Sequence, residues 1–150
     1  MHGDRAHSQP IVVLRILRWL FVAVMVTLLV GCSREPAENL AKRAVEKFHS
    51  QLEAGEFHTI YAEADEEFRK QGRESEILDS MRFVHDRMGR IVQTALIRSE
   101  VGQTTSGARV TLSYSTYFEG GRAAEQFIWL IVDGSTKLIR YDINSPSLEK

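Results

Sequence analysis

Cys32 is the one cysteine in a chain of 150 residues. A lone thiol makes no disulfide within its own chain. It also lacks the second thiolate that a cysteine zinc site would need. The histidines that follow it, His49, His58 and His85, are not spaced like a zinc pair, so no metal is expected. No G-x-S-x-G elbow, phosphate-cradling glycine loop or G-x-G-x-x-G fingerprint is present. Two readings stand for Cys32: a small buried residue at a helix end, or a sulfur that serves as an attachment point. Its setting supports the second: residues 19–30 are twelve positions with only Thr27 polar, and small Gly31 stands directly before the thiol.

The segment leading to Cys32 explains how such a thiol would be presented. Residues 1–20 carry Arg5, Arg15 and Arg18 against one acid, Asp4. A cationic stretch followed by a short apolar one has the form of a secretory signal. A membrane-spanning helix would have to extend back to Ile11 and enclose Arg15 and Arg18, and each mid-membrane arginine costs about 2.5 to 3.5 kcal/mol. Leu29-Val30-Gly31-Cys32 resembles the bacterial lipobox. The resemblance implies that Leu29, Val30 and Gly31 are read by a signal peptidase and that the Cys32 sulfur takes a diacylglyceryl group. Cleavage before Cys32 would then free an amine for a further acyl chain, palmitate being typical of such anchors. One acyl chain holds a protein only marginally, whereas two or three make the attachment stable. Ser33 stands where an Asp often signals inner-membrane retention, which implies the periplasmic leaflet of an outer membrane.

This divides the chain into a removed signal peptide (1–31), a lipidated cysteine with a short tether (32–36), a folded domain (37–145) and a tail (146–150). The tether is so short that the domain stands roughly 10 to 15 Å from the lipid. The net charge is −1, and basic residues alternate with acidic ones. That is the pattern of a solvated surface and excludes a large nucleic-acid footprint.

Within the domain, Leu40, Ala41, Ala44, Val45, Phe48 and Leu52 form a helical stripe that stops at Gly55. Phe57, Ile60, Tyr61, Ala64 and Phe68 form a second, and Ile77, Leu78, Met81, Val84 and Met88 a third, ending at Gly89. His49 and His85 fall at the stripe margins and are expected at the surface. The acids Glu63, Asp65, Glu66 and Glu67 read as a solvated helix face. From Ile91 the period changes to two. Strands are expected over 91–101, 109–118, 123–132 and 136–143, with breaks at Gly102 and Gly107, Gly120-Gly121 and Asp133-Gly134. The fold class is therefore α+β: three N-terminal helices packed on one face of a four-stranded antiparallel meander.

A two-residue turn at Gly120-Gly121 would set Tyr114 opposite Phe127, Leu112 opposite Trp129, Val110 opposite Ile131 and Glu125 opposite Thr116. That puts the Trp129 face under the helices and leaves Tyr117, Ile128 and Leu130 on the outer face. The last turn is open. Two residues (Asp133-Gly134) or three (adding Ser135) send Tyr141 to opposite faces.

The run "FHSQLEAGEFHTIYAEADEEFR" resembles the helix, glycine turn and second helix that open domains of the nuclear transport factor two-like, cystatin-like superfamily. "SEILDSMRFVHDRMGRI" is similar to its third helix, and residues 115–143 to its long hairpin and closing strand. The resemblance implies a curved sheet wrapped round helices as a cone, sometimes with a pocket. Some members are ketosteroid isomerase-like enzymes that pair an acid with a tyrosine inside the cone. The residues that would line such a pocket here are Tyr61, Tyr114, Glu125, Phe127 and Trp129. A carboxylate on an apolar face can serve as a base, but Glu125 is expected near the hairpin end, where that face meets water. Tyr61 and Tyr114 are expected as core aromatics with a wet tip.

The function expected is accordingly a non-catalytic, membrane-anchored envelope lipoprotein. It would face the periplasm, hold to the bilayer through Cys32 and bind an envelope protein partner, with no cofactor beyond its acyl chains. The alternative is small-molecule or lipid binding in the cone. An enzyme is the least favoured reading, and no residue is assigned a catalytic role.

Overall fold

The computed structural model describes residues 35–149. Cys32, Leu29, Val30 and Gly31 lie outside the described residues. Four helices come first: α1 (Ala37–Glu53), α2 (Phe57–Glu63), α3 (Glu66–Arg69) and α4 (Glu74–Met88). Four strands follow, β1 (Ile91–Thr104), β2 (Gly107–Phe118), β3 (Gly121–Val132) and β4 (Ser135–Asn144), paired antiparallel in the order β1-β2-β3-β4. The class is α+β as expected. No described helix is long and apolar enough to cross a membrane.

The second stripe does not make one helix. Ala64 and Asp65 are extended, and the Asp65 N–H donates to the Leu138 carbonyl at 2.8 Å. A helical Asp65 would give that N–H to its own helix instead, so the chain breaks to reach β4. Asp65 then caps α3, its Oδ1 accepting from the Glu67 N–H at 2.9 Å. The neighbouring acids are paired: Glu63 with Lys47, Glu66 with Lys70, Glu67 with Arg109.

The hairpin register differs from expectation by two residues. Phe118 pairs with Gly121, so Glu119-Gly120 forms the turn. Val110 lies opposite Trp129, Leu112 opposite Phe127, and Tyr114 opposite Glu125. A slip of two keeps every side chain on its face, whereas a slip of one would not. The cause lies in α4. Gly120 donates to the Met88 carbonyl at 2.7 Å, and a Cβ there would stand 2.4 Å from the Arg87 carbonyl oxygen. Gly120 is therefore needed at the contact with the helix end. The first hairpin also turns later than expected, at Thr105-Ser106, because β1 runs through Gly102 to pair Thr104 with Gly107.

At the last turn, Asp133 and Gly134 both have positive φ, 49° and 81°. That is the two-residue hairpin geometry whose twist matches its strands. Alone it would send Tyr141 outward. A bulge between Leu138 and Arg140 adds one residue, Ile139, and brings Tyr141 opposite Phe127 on the inner face. The Ile139 carbonyl accepts from Gln71 at 2.7 Å, and Leu138 and Ile139 are both buried. Further bulges at Val92 and Ile97 bend β1.

The helices cover the face of β2 and β3 that carries Val110, Leu112, Phe127, Trp129 and Ile131, and Phe48 of α1 lies at the centre of this core. Cover of β1 is incomplete: Ile91 packs against the core and Ser99 is half-buried. There Val92, Ile97, Val101 and Leu96 remain 70, 67, 49 and 37% exposed. On the outer face Tyr117 is exposed, while Ile128 and Leu130 are half-buried rather than open.

Candidate functional site

Four elements bring one polar cluster into the core. β3 supplies Glu125, β2 Thr116, β4 Tyr141 and α1 His49. The Glu125 side chain is 0% exposed. Its Oε1 accepts from the Tyr141 hydroxyl at 2.8 Å. Its Oε2 accepts from the Thr116 hydroxyl and lies 3.0 Å from His49 Nε2. Two hydroxyls donate to this carboxyl group, and His49 Nε2 completes its partners. Three partners on two oxygens leave little capacity unused, which is what a buried carboxylate requires.

Aromatic rings close the space around this cluster. His49 meets Phe127 edge to face at 5.5 Å between centroids. Tyr141 lies 4.6 Å from Phe48 and 5.0 Å from Phe127. Phe127 stacks on Trp129 at 6.3 Å, and Tyr114 meets Phe127 edge to face at 6.1 Å. The expected pocket residues thus fall into two groups. Glu125, Tyr114, Phe127 and Trp129 do sit on one face, but packed against one another. Tyr61, on α2, is half-buried against the core.

Two expectations are corrected. Glu125 is not at a wet hairpin end, because the two-residue register change moves it opposite Tyr114 and under α1. His49 is buried rather than at the surface, because α1 turns that margin of its stripe onto Glu125. Sequence reasoning missed His49 and Tyr141 as members of the site. The signal available was a carboxylate on an apolar face, which demands donors from somewhere. His85 does lie towards the surface, beside Asp86 at 2.9 Å. Among the described residues no group of three His, Cys, Asp or Glu side chains could hold a metal ion.

Burial, and then the charge and hydrogen bond of Glu125, hold the Tyr141 hydroxyl well above the usual tyrosine value of 10.0. Burial first, then the charges of Glu46, Glu38 and Glu125, raises Tyr114 as well. In the unfolded chain both would ionise near the usual value. Above it the native state therefore holds more protons than the unfolded state, and stability falls as pH rises. We expect stability to be indifferent to these two groups below about pH 10 and to decline above it, with a smaller decline in Tyr141→Phe. Denaturant midpoints taken across the alkaline range, beside the phenolate absorbance, measure this.

Among the described residues, depressions open on the surface near the cluster and along the sheet. A groove of 370 Å³ is lined by Lys47, Phe48, Ile60, Trp129 and Lys137, among others. The Trp129 Nε1 is buried with no acceptor among the described residues. A cleft of 310 Å³ between α3, α4 and β4 is lined by Phe68, Ile77, Met81, Val84, Tyr141 and Ile143, with Gln71, Glu76 and Ser80 at its rim. The third, of 700 Å³, follows the sheet past Ile97, Ser113, Tyr114, Arg122, Glu125 and Gln126, and so takes in two of the five expected pocket residues. None exposes a side-chain atom of Glu125.

The chain matches no family model, and no curated protein matches it.

Proposed function

We propose that this chain is a lipid-anchored, non-catalytic envelope protein that binds a protein partner along β1 and the adjoining sheet face. Cys32 carries the anchor, on the periplasmic side of the outer membrane. The domain is a cystatin-like cone of the nuclear transport factor two-like kind. Helices first, then a bulged antiparallel meander that α1 packs against, support that assignment. The observation that carries the functional reading is the exposure of apolar side chains on both sides of β1: Leu96 and Val101 on the side of the helices, Ile97 beside the outer-face depression, and Val92 at the first bulge. Contiguous exposed apolar surface on a soluble domain marks an interaction site. The enzyme reading has the weaker support. An acid that acts on substrate must be reachable, and the Glu125 side chain is enclosed.

One observation favours small-molecule or lipid binding as the second reading. The groove beside Trp129 is lined by both polar and apolar side chains, with Lys47, paired to Glu63, and Lys137 among them, and the Trp129 indole N–H is buried without an acceptor among the described residues. A photo-reactive side chain at Ile97, activated in intact membranes, separates the two. Protein adducts from Ile97, and none from exposed Asp79 on α4, are the expected result. An unreactive Ile97 together with a lipid that co-purifies and shields Lys47 and Lys137 from acylation would favour the second reading.

A further inference from the structure

β1 is an edge strand of 14 residues. An open edge of that length offers unpaired N–H and C=O groups to any other strand, and proteins guard such edges with charges and bulges. β1 has both: bulges at Val92 and Ile97, and the charges Arg98 and Glu100. The order of the guards is informative. About Ser99 the strand reads Ile97, Arg98, Ser99, Glu100, Val101: apolar, basic, small, acidic, apolar. Against an unrelated strand a charge at each of two positions is a penalty. Against an antiparallel copy centred on Ser99, each Arg98 meets the copy's Glu100. Opposite charges directly across a strand pair are favourable and like charges are not. A two-fold interface demands this kind of self-complementarity.

The local geometry agrees. Arg98 and Glu100, opposite Ser113 and Thr111, share the face away from the helices. Within one chain they already pair with each other, so association exchanges one ion pair for another and strips no lone charge. Pairing with β2 is regular from Arg98 to Thr104. The bulge at Ile97 confines a new ladder to a few residues round Ser99, which makes the contact short and weak in free solution. Confinement to a bilayer raises the effective concentration of such partners. A two-fold axis normal to the sheet also leaves both helical layers on one side. Glu38, in the first turn of α1, lies beside Ser99 on that side.

We propose that the occupant of the β1 edge is a second copy of this chain, antiparallel about a two-fold axis at Ser99, joining two sheets into one. This rests on the reading of β1 as a binding edge and names its partner. The test uses the full chain in membranes. Ser99→Cys places one thiol on the axis, at roughly the 5 to 6 Å Cα separation that a disulfide tolerates. Mild oxidation should give an adduct of twice the chain mass. Arg98→Glu alone or Glu100→Arg alone sets two like-charge pairs across the axis and should cut that adduct about tenfold. Co-expressed, the two singly reversed chains complement each other, and the adduct should return containing one of each. The intrachain pair is broken in both, so recovery reports contact between chains. Differently tagged copies without the Ser99→Cys change give the same reading by co-isolation. A doubled species indifferent to single reversal overturns the proposal, as does the lack of any doubled species. If the Ile97 probe then yields only an adduct of another mass, β1 binds a foreign protein and self-pairing is wrong. If Ile97 and Ser99→Cys yield nothing, the binding-edge reading falls with it.

Discussion

Glu125→Ala is expected to destabilise the domain by about 3 to 5 kcal/mol, the range found when one partner of a buried charged network is removed. The size follows from what stays behind. The Thr116 and Tyr141 hydroxyls and His49 Nε2 all lose their partner at once. Phe48 and Phe127 prevent water from reaching them freely, and both rings are buried. A cavity the size of the lost carboxyl adds to the effect. Domains of this size are stable by about 5 to 15 kcal/mol, so much of the total is at stake. In urea the midpoint should fall by about 2 M. Glu125→Gln keeps the shape and one acceptor, and should cost about 1 to 3 kcal/mol. Tyr141→Phe in the Glu125→Ala background should cost less than Tyr141→Phe alone, because the hydroxyl has already lost its partner. Equal stability of Glu125→Ala and the parent would mean that the carboxylate is solvated, and would reopen the catalytic reading.

That network also marks where the sequence was legible and where it was not. Face sorting of β2 and β3 could be read, because alternation survives an error of two residues. Glu125 therefore appeared on the correct face with the wrong neighbour. Its true neighbour depends on Gly120, and nothing local reveals that this glycine must meet the Arg87 and Met88 backbone. Tyr141 depends on a bulge at Ile139. Leu138 and Ile139 are both apolar and both buried, so alternation is silent there and only the carbonyl contacts with Asp65 and Gln71 fix the bulge. The split of the second helix has the same origin: Asp65 leaves helical geometry to serve β4, a demand made by a residue 73 positions away. His49 was hidden for another reason. Helical angle places it at a margin, and a margin is resolved only by what packs there.

β1 shows the opposite case. Its alternation predicts a strand with one covered face, and the strand is present. The helices, however, cover β2 and β3, and Leu96 and Val101 stay open on the same side of the sheet. The width of a helical layer is a tertiary quantity, set here by how α1 and α4 lie across four strands, and no periodicity within β1 carries it.

The proposed anchor at Cys32 carries the second large expected effect and is the root of the functional account. Cys32→Ser exchanges the nucleophilic sulfur for a hydroxyl and leaves the apolar run, Gly31 and the domain untouched. The energetic gap is wide. Each buried CH₂ of an acyl chain contributes about 0.8 kcal/mol, so losing the two or three proposed chains would remove the whole attachment. Cleavage that waits for lipid on the sulfur should fail as well. The direct measurement is metabolic labelling with palmitate, followed by N-terminal analysis and membrane fractionation of parent and variant. The account predicts a labelled parent that begins at Cys32, and a Cys32→Ser chain with no label that still carries residues 1–31. A variant cut at the same bond and sedimenting with membranes as the parent does would contradict it.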